Sequence, residues 1–173
     1  MHIPIPKCAS QSIKKKYSLT PEKLRHDAQI LSDVSRYKEG FVVLREPIDR
    51  FKSLVRHYFL VNEKGPGTKL LGHHDASTIV EVVLRNFSHL ESVGGAYHWF
   101  TQKSFIPEAF FELEDPRFYD MEWLRKNCNI TNTSPSSSVQ ISAEQREEIL
   151  KIYAEDVILY ERYIGPILPC CTQ

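Results

Sequence analysis

The stretch Phe41-Val42-Val43-Leu44-Arg45-Glu46-Pro47-Ile48-Asp49-Arg50-Phe51-Lys52-Ser53 decides how this chain is read. Its first four residues are all apolar, which leaves no polar face. A strand built this way is covered on both sides, as in a parallel sheet. Pro47 then suits the first turn of a helix, where a missing N–H costs nothing. Ile48, Phe51, Leu54, Val55, Tyr58 and Phe59 follow at spacings of three and four, one apolar stripe along that helix. Arg45 therefore stands at the carboxyl end of a buried strand, the edge at which open α/β sheets bind their ligands. A guanidinium there can clamp a phosphate bidentately. Ser53, nearly two turns past Pro47, can reach the same anion; read alone, it is a helix-surface serine. Arg50 reads as a structural ion-pair partner.

Toward the amino terminus lies a second strand-and-loop, His2-Ile3-Pro4-Ile5-Pro6-Lys7-Cys8-Ala9-Ser10-Gln11-Ser12. Residues 2 to 5 read as a short first strand, and Ser12 to Tyr17 as the start of a helix. Backbone N–H groups in such a loop can converge on one anion, and the following helix adds its positive end. Ser10, Gln11 and Ser12 can donate further hydrogen bonds, and Lys7 adds a mobile point charge. The loop contains no glycine, so it is not a GxxxxGK[ST] phosphate loop. Read alone, it is an ordinary strand-to-helix turn with an exposed lysine. Thr20-Pro21 resembles a capped helix start, and a helix is expected from Pro21 to Val34.

In the other direction, Gly65-Pro66-Gly67 ends the helix that begins at Pro47. Thr78 to Glu81 fits a capping box opening a helix to about Leu90. Phe110–Leu113 reads as a third strand and Met121–Asn127 as a short helix. Ser134–Ser138 is a loop. Ser142 to Gln145 is a second capping box, opening a long helix through Tyr153 and Val157 toward Tyr163. Strands alternating with helices indicate a layered α/β domain. One domain over residues 1–173 is expected from the length.

Lys plus Arg and Asp plus Glu both number 22, so there is no basic surplus of the kind a general nucleic-acid binder carries. No apolar run reaches the length of a membrane span. The amino terminus lacks the apolar region of a signal peptide, so a complete chain is expected in the cytoplasm. Cys8, Cys128, Cys170 and Cys171 show no zinc-type spacing and read as free thiols, with no metal expected. The sequons at Asn86, Asn129 and Asn132 read as chance matches. His73-His74-Asp75 reads as an exposed polar loop, and Lys14-Lys15-Lys16 as an exposed helix face that could attract an anionic acceptor.

Taken together, these segments resemble the sulfotransferases that use PAPS (3′-phosphoadenosine 5′-phosphosulfate), and more closely their carbohydrate (heparan/chondroitin-type) branch. Ile5 to Ile13 resembles the branch's first-strand motif H-I-P-K-T-x-x-T-S. Arg45, Pro47, Arg50 and Ser53 match R-D/N-P-x-x-R-x-x-S. His98-Trp99-Phe100-Thr101-Gln102 resembles H-W-x-x-Q, and Asn132-Thr133-Ser134 resembles N-x-S. Ser142 to Gln145 with Tyr153-Ala154-Glu155-Asp156 resembles the closing helix with Y-A-x-D. The likeness spans nearly the whole chain in order.

The resemblance implies a P-loop-like three-layer domain with a central parallel sheet. It implies that Lys7, Cys8, Ala9, Ser10, Gln11 and Ser12 bind the 5′-phosphosulfate of PAPS, and that Arg45 and Ser53 bind the 3′-phosphate. The implied reaction is metal-free, in-line transfer of a sulfuryl group to a hydroxyl or amine of a carbohydrate or small-molecule acceptor. In it, Lys7 meets the charge growing on the leaving phosphate, and a base takes the acceptor proton. His26 lies between the two phosphate motifs, where some relatives place a catalytic histidine. His57, His73, His74, His98, Glu22 and Asp27 are the other candidates, with His98 also reading as a hydrogen-bonded structural histidine beside Trp99. Gln11 and Cys8 stand where relatives carry hydroxyl residues. The Gln11 departure and the lack of a clear base motivate the alternative of a catalytically degenerate, sulfotransferase-like domain that binds a nucleotide or a partner. A nucleotide kinase is disfavoured by the missing GxxxxGK[ST]. If the chain is a fragment of a longer membrane-anchored protein, the expected compartment is the Golgi lumen.

Overall fold

The computed structural model describes residues 2–8, 38–61, 66–72, 74–92, 96–128 and 139–167. The expected helices over 12–17 and 21–34 lie outside the described residues, as do Lys14–Lys16, the loop 134–138, Asn129, Asn132, Cys170 and Cys171. In chain order the elements are β1 (His2–Ile3), β2 (Glu39–Val43), α1 (Pro47–Val55), α2 (Pro66–Leu71), α3 (Ile79–Arg85), α4 (Phe87–Ser92), α5 (Glu108–Phe111), β3 (Asp115–Tyr119), α6 (Met121–Asn127), α7 (Ala143–Ile152) and α8 (Ala154–Tyr163). The described residues fall into two compact units, one drawn from 1–45, 101–133 and 159–166, the other from 46–100, 134–158 and 167–173.

The first unit is α/β. Its parallel sheet has the order β1-β2-β3, with His2 opposite Phe41 and Glu39 to Val43 opposite Asp115 to Tyr119. β2 is central, which is why its sequence is apolar on both faces. On one face Ile3, Val42, Leu44 and Phe118 pack with Phe110, Ile106, Leu159 and Tyr163. On the other, Phe41, Val43 and Tyr119 pack with Leu124, Trp123 and Cys128 of α6 and its end. Helices thus cover both faces. Gly40 lets the first layer close: a Cβ there would stand 2.8 Å from Phe110 Cε2 and 2.9 Å from Leu113 Cδ1.

The third strand is not where its aromatic residues suggest. Phe110–Leu113 is not a strand; residues 108–111 form α5, and β3 is the more polar Asp115–Tyr119. The reason is packing. Pro107 sets up a turn in which Phe110 N donates to Pro107 O at 2.9 Å, and both Phe110 and Phe111 then reach the same core. A strand would send them to opposite faces. Among the described residues β3 pairs only with β2, and its other side is where Pro116, which cannot donate to a ladder, is tolerated.

The second unit is helical. α1 follows the expected stripe, and Ile48, Phe51, Leu54, Val55, Tyr58 and Phe59 are all buried. Its last part widens into a π-helical turn, Arg56–Val61, so that the adjacent Tyr58 and Phe59 both face inward. Trp99 is the hub of this core, ringed by Phe51, Tyr58, Phe59 and Phe87. Two expected helices are each broken. Asn86 interrupts the first by donating its side-chain Nδ2 to Val82 O at 2.8 Å, and α4 restarts after it. Thr78 makes no side-chain cap there; Asp75 Oδ1 instead accepts from both the backbone and the hydroxyls of Ser77 and Thr78. The Ser142–Gln145 capping box is formed in full. The long helix it opens bends at Tyr153, whose hydroxyl donates to Trp99 O at 3.0 Å. No helix among the described residues is long and apolar enough to cross a membrane.

Candidate functional site

The carboxyl edge of a parallel sheet collects the residues that follow its strands. Here these are Lys7 after β1, Arg45 after β2 and Asp120 after β3. Asp120 is used structurally, accepting Trp123 N at 2.7 Å as the N-cap of α6. Among the described residues that follow these strands, Lys7 and Arg45 are the cations.

Lys7 sits in a tight turn. Cys8 N donates to Ile5 O at 3.2 Å, so Ile5-Pro6-Lys7-Cys8 closes as a four-residue turn. Proline in the second position and a positive φ in the third are the marks of a type II turn. The third residue is Lys7, with φ of 64°, the only non-glycine at positive φ among the described residues. The glycine-free loop therefore places a lysine where glycine or asparagine is the usual choice. That conformation costs an L-residue about 1 kcal/mol or more. Such costs collect at functional positions.

Arg45 reaches the same turn from the next strand. Its Nη1 donates to Lys7 O at 3.3 Å. Burial first, and then the neighbouring Arg45 charge, lower the Lys7 amine from its usual 10.5 to about 8. An approaching anion would favour the protonated amine and offset the repulsion from Arg45.

Cys8 is buried, and its Sγ donates to Gln102 Oε1 at 3.0 Å. Gln102 Oε1 also accepts Arg45 N at 2.9 Å, while its Nε2 donates to Arg45 O at 2.8 Å. Lys7, Cys8, Arg45 and Gln102 therefore form one connected group. The first three were singled out in the sequence as ligand-binding residues. Gln102 carries no sequence signal beyond its place in H-W-x-x-Q. Ala9, Ser10, Gln11, Ser12 and His26 lie outside the described residues, as do Glu22, Asp27 and His73.

The second unit holds Ser53, half-buried in the second turn of α1. It also shows what the other quoted motifs do. Arg50 is buried against Asp156, with Nη1 to Oδ2 at 3.8 Å, and its Nη2 donates to His98 O at 2.9 Å. The same guanidinium lies 5.7 Å from the centre of the Tyr153 ring. P-x-x-R, H-W and Y-A-x-D thus meet around one buried arginine, as the structural reading of Arg50 expects. His98 Nδ1 is hydrogen-bonded to the Tyr58 hydroxyl, which is the structural role weighed for it. His57 is exposed, and His74 Nε2 bonds to Leu71 O at 2.7 Å. Among the described residues, no group of three or more His, Cys, Asp or Glu side chains is arranged to hold a metal ion.

Comparison with family models, with curated proteins and with solved structures finds no match to this chain.

Proposed function

We propose that the chain moves a sulfuryl group from PAPS to a hydroxyl or amine of a carbohydrate or small-molecule acceptor. The observation that carries this reading is the Lys7–Arg45 pair. Two cations from successive parallel strands meet at the sheet's carboxyl edge, one of them on a strained turn. Within this reading the sheet is the centre of a P-loop-like three-layer domain. The acceptor oxygen attacks sulfur, the bond from sulfur to the bridging phosphate oxygen breaks, and adenosine 3′,5′-bisphosphate leaves. Lys7, protonated below about pH 8, stabilises the charge growing on that bridging oxygen. Arg45 and Ser53 take the 3′-phosphate by resemblance, and His26 the acceptor proton. Incubation with PAPS and an acceptor panel should release the bisphosphate, and Lys7→Ala should abolish that release. Absence of any PAPS binding by calorimetry overturns the proposal.

One observation favours a second reading, a sulfotransferase-like domain that binds the nucleotide without turnover. Cys8 stands where relatives carry a hydroxyl, and its thiol is committed to Gln102. That reading predicts nucleotide binding that survives Lys7→Ala, with no transfer in the parent protein.

A further inference from the structure

Gln102 is fully buried and belongs to no strand, yet its side-chain amide serves as a peptide unit. Beyond Val43, the ladder continues on one side only: Leu44 N donates to Tyr119 O at 2.8 Å. The next residue of an extended chain turns its N–H and C=O the other way. On that side β1 pairs no further than Ile3 with Val42. Gln102 fills the gap, accepting from Arg45 N at 2.9 Å and donating to Arg45 O at 2.8 Å.

A carbonyl oxygen has room for two donors. The second is the Cys8 thiol at 3.0 Å. One side chain therefore ties the residue after β2 to the residue after Lys7. Arg45 Nη1 closes the ring on Lys7 O at 3.3 Å. We propose that Gln102 is the positioning residue of the anion site, holding the Lys7–Cys8 turn and Arg45 in register so that both cations face one ligand. The identity of that ligand rests on the proposed function; the positioning does not.

A glutamine that merely filled space would leave Lys7 and Cys8 unchanged on replacement by an isosteric apolar residue. The test compares the parent protein with Gln102→Leu and Gln102→Glu. Two readouts need no ligand: the alkylation rate of Cys8, mapped by peptide mass spectrometry, and the titration of the Lys7 amine, followed by NMR or by pH-dependent acylation. In Gln102→Leu that melts cooperatively, Cys8 should react at least about tenfold faster, the scale of one lost hydrogen bond to a positioned group. The Lys7 amine should move from about 8 back toward 10.5.

Gln102→Glu supplies a signature that packing alone cannot imitate. Its protonated acid can accept from Arg45 N–H and Cys8 and donate to Arg45 O, as the amide does. Its carboxylate lacks the donor. Taken as a ratio to the parent at each pH, which cancels the thiol's own ionisation, the Cys8 alkylation rate should therefore be parent-like at low pH and rise as this acid ionises and its hold on Arg45 O is lost. Should Gln102→Leu fail to fold, this pH dependence decides alone. Parent-like Cys8 and Lys7 behaviour in folded Gln102→Leu, or a Gln102→Glu protein without the pH dependence, overturns the proposal.

Adenosine 3′,5′-bisphosphate then separates the two readings. Parent binding that weakens at least about tenfold in folded Gln102→Leu supports the positioning role; equal binding overturns it. A parent that does not bind overturns the sulfotransferase reading, and the Lys7 and Cys8 readouts still decide the role of Gln102.

Discussion

Lys7 holds an unfavourable backbone angle and a half-buried charge at once. Both features cost stability, and both leave when the residue is glycine. Lys7→Gly should raise the stability to denaturant by about 1 kcal/mol, the left-handed penalty less glycine's added chain entropy, and should abolish transfer. A drop in stability would show that the turn depends on the lysine side chain. The same residue makes ligand binding pH-dependent. Burial and Arg45 lower the amine to about 8, and under the proposed function a bound phosphosulfate would stabilise its protonated form. Binding should take up a proton at pH 8 to 9, seen as a dependence of the calorimetric heat on buffer ionisation enthalpy. Stability itself should rise between pH 8 and 10.5, because there the unfolded state carries the extra proton. His2 acts in the acid range. Burial lowers its imidazole from 6.5 to about 4, with the ring 4.8 Å from Phe41. The unfolded state binds the extra proton between those values, so stability should fall as pH drops from 6.5 to 4. Thermal melts of the parent and His2→Phe should differ in that slope; identical slopes would remove His2 from the account.

At the scale of elements, β2 and α1 were legible because each carries an unbroken pattern. Four apolar residues in a row mark a central strand, and spacings of three and four mark a helix face. β3 was not legible: a strand containing Asp115, Pro116 and Arg117 has no period to find, while the aromatic pair before it carries the strand-type residues. The break at Asn86 comes from a side chain competing with the backbone, which apolar spacing does not report. Gly40 offers a direct check on the sheet. A methyl group there meets the Phe110 ring, so Gly40→Ala should cost about 1–3 kcal/mol, and pairing it with Phe110→Leu should recover part of the loss. Arg50 and Asp156 join α1 to the first half of α8 as a buried ion pair. Arg50→Ala leaves a buried carboxylate and should cost about 3–5 kcal/mol. Arg50→Met with Asp156→Leu should be far milder, and an equally severe double variant would contradict the pairing.

For the molecule as a whole, the motif order along the chain was visible before its geometry. That Arg45 stands at the carboxyl end of a buried strand was legible in Phe41–Leu44; that Lys7 lies at the same edge comes from the parallel pairing of β1 with β2. That Gln102 locks them was not legible, since a side-chain bond to backbone 57 residues away leaves no trace in spacing or propensity. Arg50, His98, Tyr153 and Asp156 were quoted for a resemblance, and their contacts are those of a structural network. The proposed chemistry therefore rests on the Lys7–Arg45 edge. Its most direct test is calorimetric titration of PAPS into the parent protein, Lys7→Ala and Arg45→Ala, with released adenosine 3′,5′-bisphosphate followed in the presence of acceptors. The account predicts binding by the parent, at least about tenfold weaker binding without Arg45, and bisphosphate release that requires Lys7. A parent that binds no PAPS, or that releases the bisphosphate equally well without Lys7, would contradict it.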